Sequence, residues 1–143
     1  MVEKRGNLWT YPPRNAWRVI PLDGTTWDQA CKRWPELAGL LNPVSPRLRK
    51  LVQTQCYQFT GNGSPALDVM RVITVPVPRQ PGTDSPSIVP FERIMEDLST
   101  FIHPGEVYVM PRVGCGEGGY DWSSQVRPIL LTFPDNVIVV SRG

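Results

Sequence analysis

The chain has 143 residues, of which 41% are hydrophobic and 20% charged, with a formal net charge of +2. This is the size and composition of one globular domain with its own core, residues 1–143. No apolar run approaches the roughly 18 residues of a membrane span, so no membrane association is expected. A surplus of two charges is not the basic face that phosphate-driven binding demands, so nucleic acid is not expected as a partner. Cys31, Cys56 and Cys115 have neither CxxC spacing nor an even count, and His103 is the one histidine. A disulfide framework, a metal site and a cofactor are therefore not expected. The first residues, "MVEKRGNLWTYPP", carry basic groups with no apolar stretch behind them, so they do not read as a secretory signal and a cytoplasmic protein is expected.

In chain order, "WRVIPL" (17–22) reads as a strand and "DGTT" as a turn. From Trp27 the apolar residues Trp27, Ala30, Cys31 and Trp34 recur at helical spacing, with Thr26 and Gln29 fitting a capping box and Pro35 breaking the helix. "SPRLRK" (45–50) reads as a solvated turn. "LVQTQCYQF" (51–59) and "DVMRVITVPV" (68–77) pair as a hairpin across the Gly61 to Pro65 turn. "PRQPGTDSPS" (78–87) is a polar, proline-rich loop, and Phe91, Ile94, Met95, Leu98 and Ile102 mark a second helix that ends before "HPG". His103, at that end, reads as a cation near a helix C-terminus. "EVYVM" is a strand; a short helix carries Trp122, Val126, Ile129 and Leu130, limited by Pro128; "NVIVV" (136–140) is the last strand. Strands alternating with helices predict an α/β fold, a three-layer α/β/α sandwich whose sheet is mixed because of the hairpin.

Between "EVYVM" and the third helix lies "PRVGCGEGGYDW", with four glycines in the six positions from Gly114 to Gly119. Glycines let backbone amides face a guest without Cβ atoms in the way, and a following helix start, capped by Asp121, adds positive potential suited to a phosphate or diphosphate. Glu117 opposes such a guest unless it points outward. A wide turn stabilised by the Asp121 cap accounts for the same residues without a ligand.

"GNLWTY", a strand ending in "DGT", "CKRWPEL", "VITVPV" and above all "VMPRVGCGEGGYDWSSQVRPIL" resemble the macrodomain superfamily, in the right order from Gly6 to Val140. The likeness is to small bacterial and phage macro-like proteins related to ADP-ribose phosphatases and terminal ADP-ribose protein glycohydrolases. It implies a cleft at the strand C-termini holding ADP-ribose or a related nucleotide. By position it assigns Asp23 or Gly24 to the adenine, and Val113, Gly114, Cys115, Gly116, Glu117, Gly118, Gly119 and Tyr120 to the diphosphate and distal ribose. Tyr120 reads either as flanking that ribose or as a core aromatic over the helix start. For a phage-encoded chain the resemblance implies the host cytoplasm.

"PLDGTTWDQACKRWPEL" departs from the resemblance: Asp23 stands for an expected Asn, and the first phosphate-facing loop is cut short. The lysine nucleophile of the glycohydrolase type belongs to that missing segment, and the position of its assisting aspartate falls on Gly118. If the chain hydrolyses ADP-ribose derivatives, Asp121 or Asp23 is the candidate general base. Cys115 lacks a nearby histidine to activate it. The alternatives are a non-catalytic module that sequesters a nucleotide, or a degenerate pocket used for protein interaction, with a partner that the sequence leaves unidentified.

Overall fold

The computed structural model describes residues 1–22, 24–41, 53–61, 70–78, 88–116 and 119–142. Six strands form one sheet: β1 (Val2–Arg5), β2 (Trp17–Pro21), β3 (Tyr57–Gly61), β4 (Met70–Val75), β5 (Tyr108–Met110) and β6 (Val137–Ser141). Their order is β1-β6-β5-β2-β4-β3. All neighbours are parallel except β3 and β4, which pair antiparallel with Phe59 opposite Val72. The expected hairpin and the mixed sheet are both present. Its turn, like the 45–50 cluster and most of the 78–87 loop, lies outside the described residues.

The sheet is covered on both sides, which explains why its central strands are mostly apolar, broken by Arg18 in β2 and by Arg71 and Thr74 in β4. All five residues of β2 are buried. Val19, Ile73, Tyr108, Met110 and Val139 face one layer, built by helix α3 (Val89–Ser99), a π-helical turn (Trp122–Val126) and the short helix α4 (Arg127–Leu130). Ile20, Val72, Val109 and Val140 face the other, built by α1 (Gly24–Arg33) and α2 (Pro35–Leu41). The three-layer α/β/α architecture is thus established.

Local chemistry sets the element ends. Gly24, at φ 63°, turns the chain from β2 into α1, a left-handed position that glycine adopts without a Cβ penalty. Because α1 starts there, Thr26 sits inside the first turn and is not the cap the sequence predicts; the Gln29 side chain accepts instead from the Trp9 indole at 3.0 Å. Helix α1 gives way to α2 before Pro35, as expected from the missing amide. Val126 donates to the Asp121 carbonyl and Arg127 to the Trp122 carbonyl, so the ladder widens by one residue just before Pro128. Strand β1 is absent from the sequence reading. Three of its four residues are exposed, and its partner β6 lies at the far end of the chain.

Candidate functional site

The two loops singled out in the sequence flank a topological switch point. Strands β2 and β5 are parallel neighbours, yet the chain leaves β2 for α1 on one face and leaves β5 for the π turn and α4 on the other. Diverging connections open a crevice at the carboxyl ends of the strands, the usual ligand position in open α/β sheets. A cleft of about 310 Å³ occupies this end, lined by Gly6 and Asn7 after β1, Thr25 and Thr26 at the start of α1, Pro111 after β5, and Ser141 and Arg142 at the end of β6.

The predicted loop residues take three different stations. Val113 is fully buried and Tyr120 nearly so, the Tyr120 ring lying 4.9 Å from that of Phe91. Burial raises the Tyr120 phenol above its usual range. Gly114 is at φ 82°, and Gly116 is exposed with open space where a Cβ would stand. The loop is braced internally: Cys115 donates to the Arg112 carbonyl, Gly119 to Gly116, and Tyr120 to Gly114 at 2.9 Å. Among the described residues, no carbonyl accepts from the amides of Gly114 or Gly116. Asp23, Glu117 and Gly118 lie outside the described residues. Within the loop after β5, Pro111 is the described residue that lines the cleft; Val113 to Gly116, Gly119 and Tyr120 are not part of its lining.

The chemistry available to the candidate catalytic groups is narrow. The Asp121 carboxylate accepts from the Ser124 amide at 2.8 Å and the Ser124 hydroxyl at 2.7 Å, while the Asp121 amide donates to Gln125. The Ser124 hydroxyl and amide hold the carboxyl below the usual carboxylate range. It is the helix cap the sequence predicts, and a weakened base. The Cys115 thiol points at the Val113 carbonyl, 3.7 Å away, and burial pushes it up to about 11. His103 lies at the opposite end of the sheet, bonded through its amide to Tyr108 and through its carbonyl to Asn136. Among the described residues, no group of three potential ligands could hold a metal ion, and no helix is long and apolar enough to cross a membrane.

The start of the loop is tied to β1 by a charged and aromatic cluster. The Arg112 guanidinium lies 5.0 Å from the centre of the Trp122 ring; the Trp122 indole donates to Glu3 at 3.1 Å and Arg127 donates to Glu3 at 2.9 Å. The Arg127 bond keeps the Glu3 carboxyl below its usual range. This cluster joins residues 3, 112, 122 and 127, which no local spacing relates. A larger groove, about 610 Å³, runs between α3 and α4 on one face of the sheet, away from the strand ends, with Glu92 and Glu96 among its lining. Site residues that sequence reasoning passed over are Asn7, Thr25, Thr26, Ser141 and Arg142. The one signal for them was "GNLWTY" and "DGTT", read as a resemblance and a turn.

This sheet order, with helices on both faces and a cleft at the strand carboxyl ends, defines a macrodomain-like fold. Over 99% of its length the chain is similar in structure to 99% of a macrodomain protein from Streptomyces coelicolor, with a TM-score of 0.54 and 15% sequence identity. Sequence comparison finds no matching family model and no similar curated protein. At 15% identity the likeness concerns the fold, and the site rests on this chain's own residues.

Proposed function

We propose that this chain binds ADP-ribose or a related nucleotide, with the base in the cleft between α1 and the end of β6 and the diphosphate against the glycine loop. The observation that carries this reading is the cleft at the β2/β5 switch point, whose Pro111 opens a loop in which, among the described residues, no carbonyl accepts from the Gly114 or Gly116 amide. Supporting it, the first turn of the ten-residue α1 offers Thr25 and Thr26 to the cleft, and a helix start favours negative charge. Arg142 adds a cation at the rim. Asp23 and Gly24 fall to the base; Gly114 to Gly119 fall to the diphosphate and distal ribose, with the buried Val113 and Tyr120 anchoring the loop from beneath.

Binding without turnover is the reading we favour over hydrolysis. The Asp121 carboxylate is engaged by Ser124, which holds it below the usual carboxylate range, so it accepts a proton from water poorly. Calorimetric titration with ADP-ribose, followed by recovery of the nucleotide, tests both parts. Saturable heat with the nucleotide returned unchanged is the expected result. Saturable binding with altered nucleotide makes the chain a hydrolase, for which Asp23 is then the remaining candidate base. No heat and no thermal shift would sink the nucleotide reading.

A further inference from the structure

Trp9 joins the cleft to a second groove. A trough of about 530 Å³ shares Trp9, Gln29 and Arg142 with the cleft and adds Lys32, Arg33 and Pro35. Its wall is braced: the Trp9 indole donates to Gln29 at 3.0 Å, the Trp9 and Trp34 rings meet edge to face at 5.9 Å, and the Arg33 guanidinium lies 5.6 Å from the centre of the Trp34 ring. Among the described residues lining this trough, three are cations and none is acidic. The groove between α3 and α4 has the reverse character, with Glu92 and Glu96. An anion leaving the cleft is therefore drawn along α1.

We propose that cleft and trough form one site for a single-stranded nucleotide chain, its terminal unit in the cleft and the next phosphate and base in the trough. The inference rests on the nucleotide reading of the cleft. A trough of that volume is larger than a lone phosphate needs, and an indole set among cations is the arrangement that binds single strands, the aromatic taking a base and the cations the backbone. Lys32 and Arg142 meet the phosphate and Trp9 meets the base. A net charge of only +2 is no obstacle, because the cations that matter are gathered here. Among the described residues lining the trough, Gln29 is the one amide side chain, and its Oε1 is engaged by the Trp9 indole, so recognition of the second base is tolerant of sequence.

Titration of the whole chain with AMP, ADP-ribose and a 5′-phosphorylated single-stranded deoxyadenylate hexamer, at two salt concentrations, tests this. The hexamer is expected to bind at least about tenfold more tightly than AMP at low salt, a gain in the range that one stacked base and a phosphate contact supply. Lys32→Glu, an exposed change on α1 outside the cleft, is expected to remove that gain and flatten the salt dependence while the AMP affinity holds. Equal affinities for hexamer and AMP, or a gain that survives Lys32→Glu, would overturn the proposal and leave the cleft reading standing. Hexamer binding without any AMP or ADP-ribose binding would overturn the shared site and the cleft reading together.

Discussion

The Phe91 and Tyr120 rings stand 4.9 Å apart, and a Cβ on Gly114 would enter the contact between them, 2.8 Å from Phe91 Cε2 and 3.2 Å from Tyr120 Cδ2. The glycine loop is thus seated on α3 through a residue that has no side chain. Its φ of 82° adds a second reason for glycine at this position.

Gly114→Ala is accordingly a folding variant. Left-handed strain and overpacking against two buried rings each cost about 1–3 kcal/mol. The expected loss is about 2–6 kcal/mol, read from the urea midpoint with an unchanged slope. A midpoint within experimental error of the parent would mean that the loop is not seated on Phe91.

Gly116→Val is the contrasting binding variant. Nothing lies within 4 Å of its Cβ position and its φ is not left-handed, so stability should change by less than about 1 kcal/mol. On the proposed reading the added isopropyl group stands in the path of a diphosphate to the Gly116 amide, and ADP-ribose affinity should then fall more than about tenfold. Parental affinity in this variant would remove the loop from the site.

The Asp121 cap has a pH signature. Its folded-state pKa lies below its unfolded value, so its contribution is present above the unfolded pKa of about 3.9 and is lost as pH falls through the folded value. Asp121→Asn should therefore lower the unfolding midpoint at pH 7, and the gap to the parent should close in acid. A constant gap from pH 7 to pH 2.5 would show that the carboxylate's charge does not matter there. The same variant should leave ADP-ribose bound and unaltered.

Cys115 should be slow to alkylate. Raising a thiol from 9.0 to about 11 leaves roughly a hundredfold less thiolate at pH 8. Iodoacetamide labelling followed by mass spectrometry should find Cys115 modified about a hundred times more slowly than a free cysteine. Labelling at the free rate would point to an electropositive, open site. Cys115→Ser should bind ADP-ribose as the parent does.

Much of the layering was legible because burial imposes period and continuity on sequence. "WRVIPL" and "VITVPV" are apolar but for Arg18 and Thr74 because both sheet faces are covered, and Phe91, Met95 and Leu98 recur at helical spacing because one side of α3 lies on the sheet. Strand β1 was not legible. "VEKR" is an edge strand with three exposed residues, held by backbone bonds to β6 that leave no side-chain pattern. The capping box at Thr26 misled for a related reason: its Gln29 is claimed by Trp9, twenty residues earlier, a contact that no local spacing reports.

By itself the sequence determined an α/β sandwich and a glycine-rich turn after "EVYVM", since hydrophobic period and glycine content are local properties of a chain. Only the tertiary structure decided what each part of that turn does. Gly114 is needed by a ring on α3 and Gly116 is open, whereas the Asp121 cap was already legible in the sequence. The cleft's lining was likewise invisible, because Asn7, Thr25, Pro111 and Ser141 come from four separate strand ends that meet where parallel strands send their connections to opposite faces.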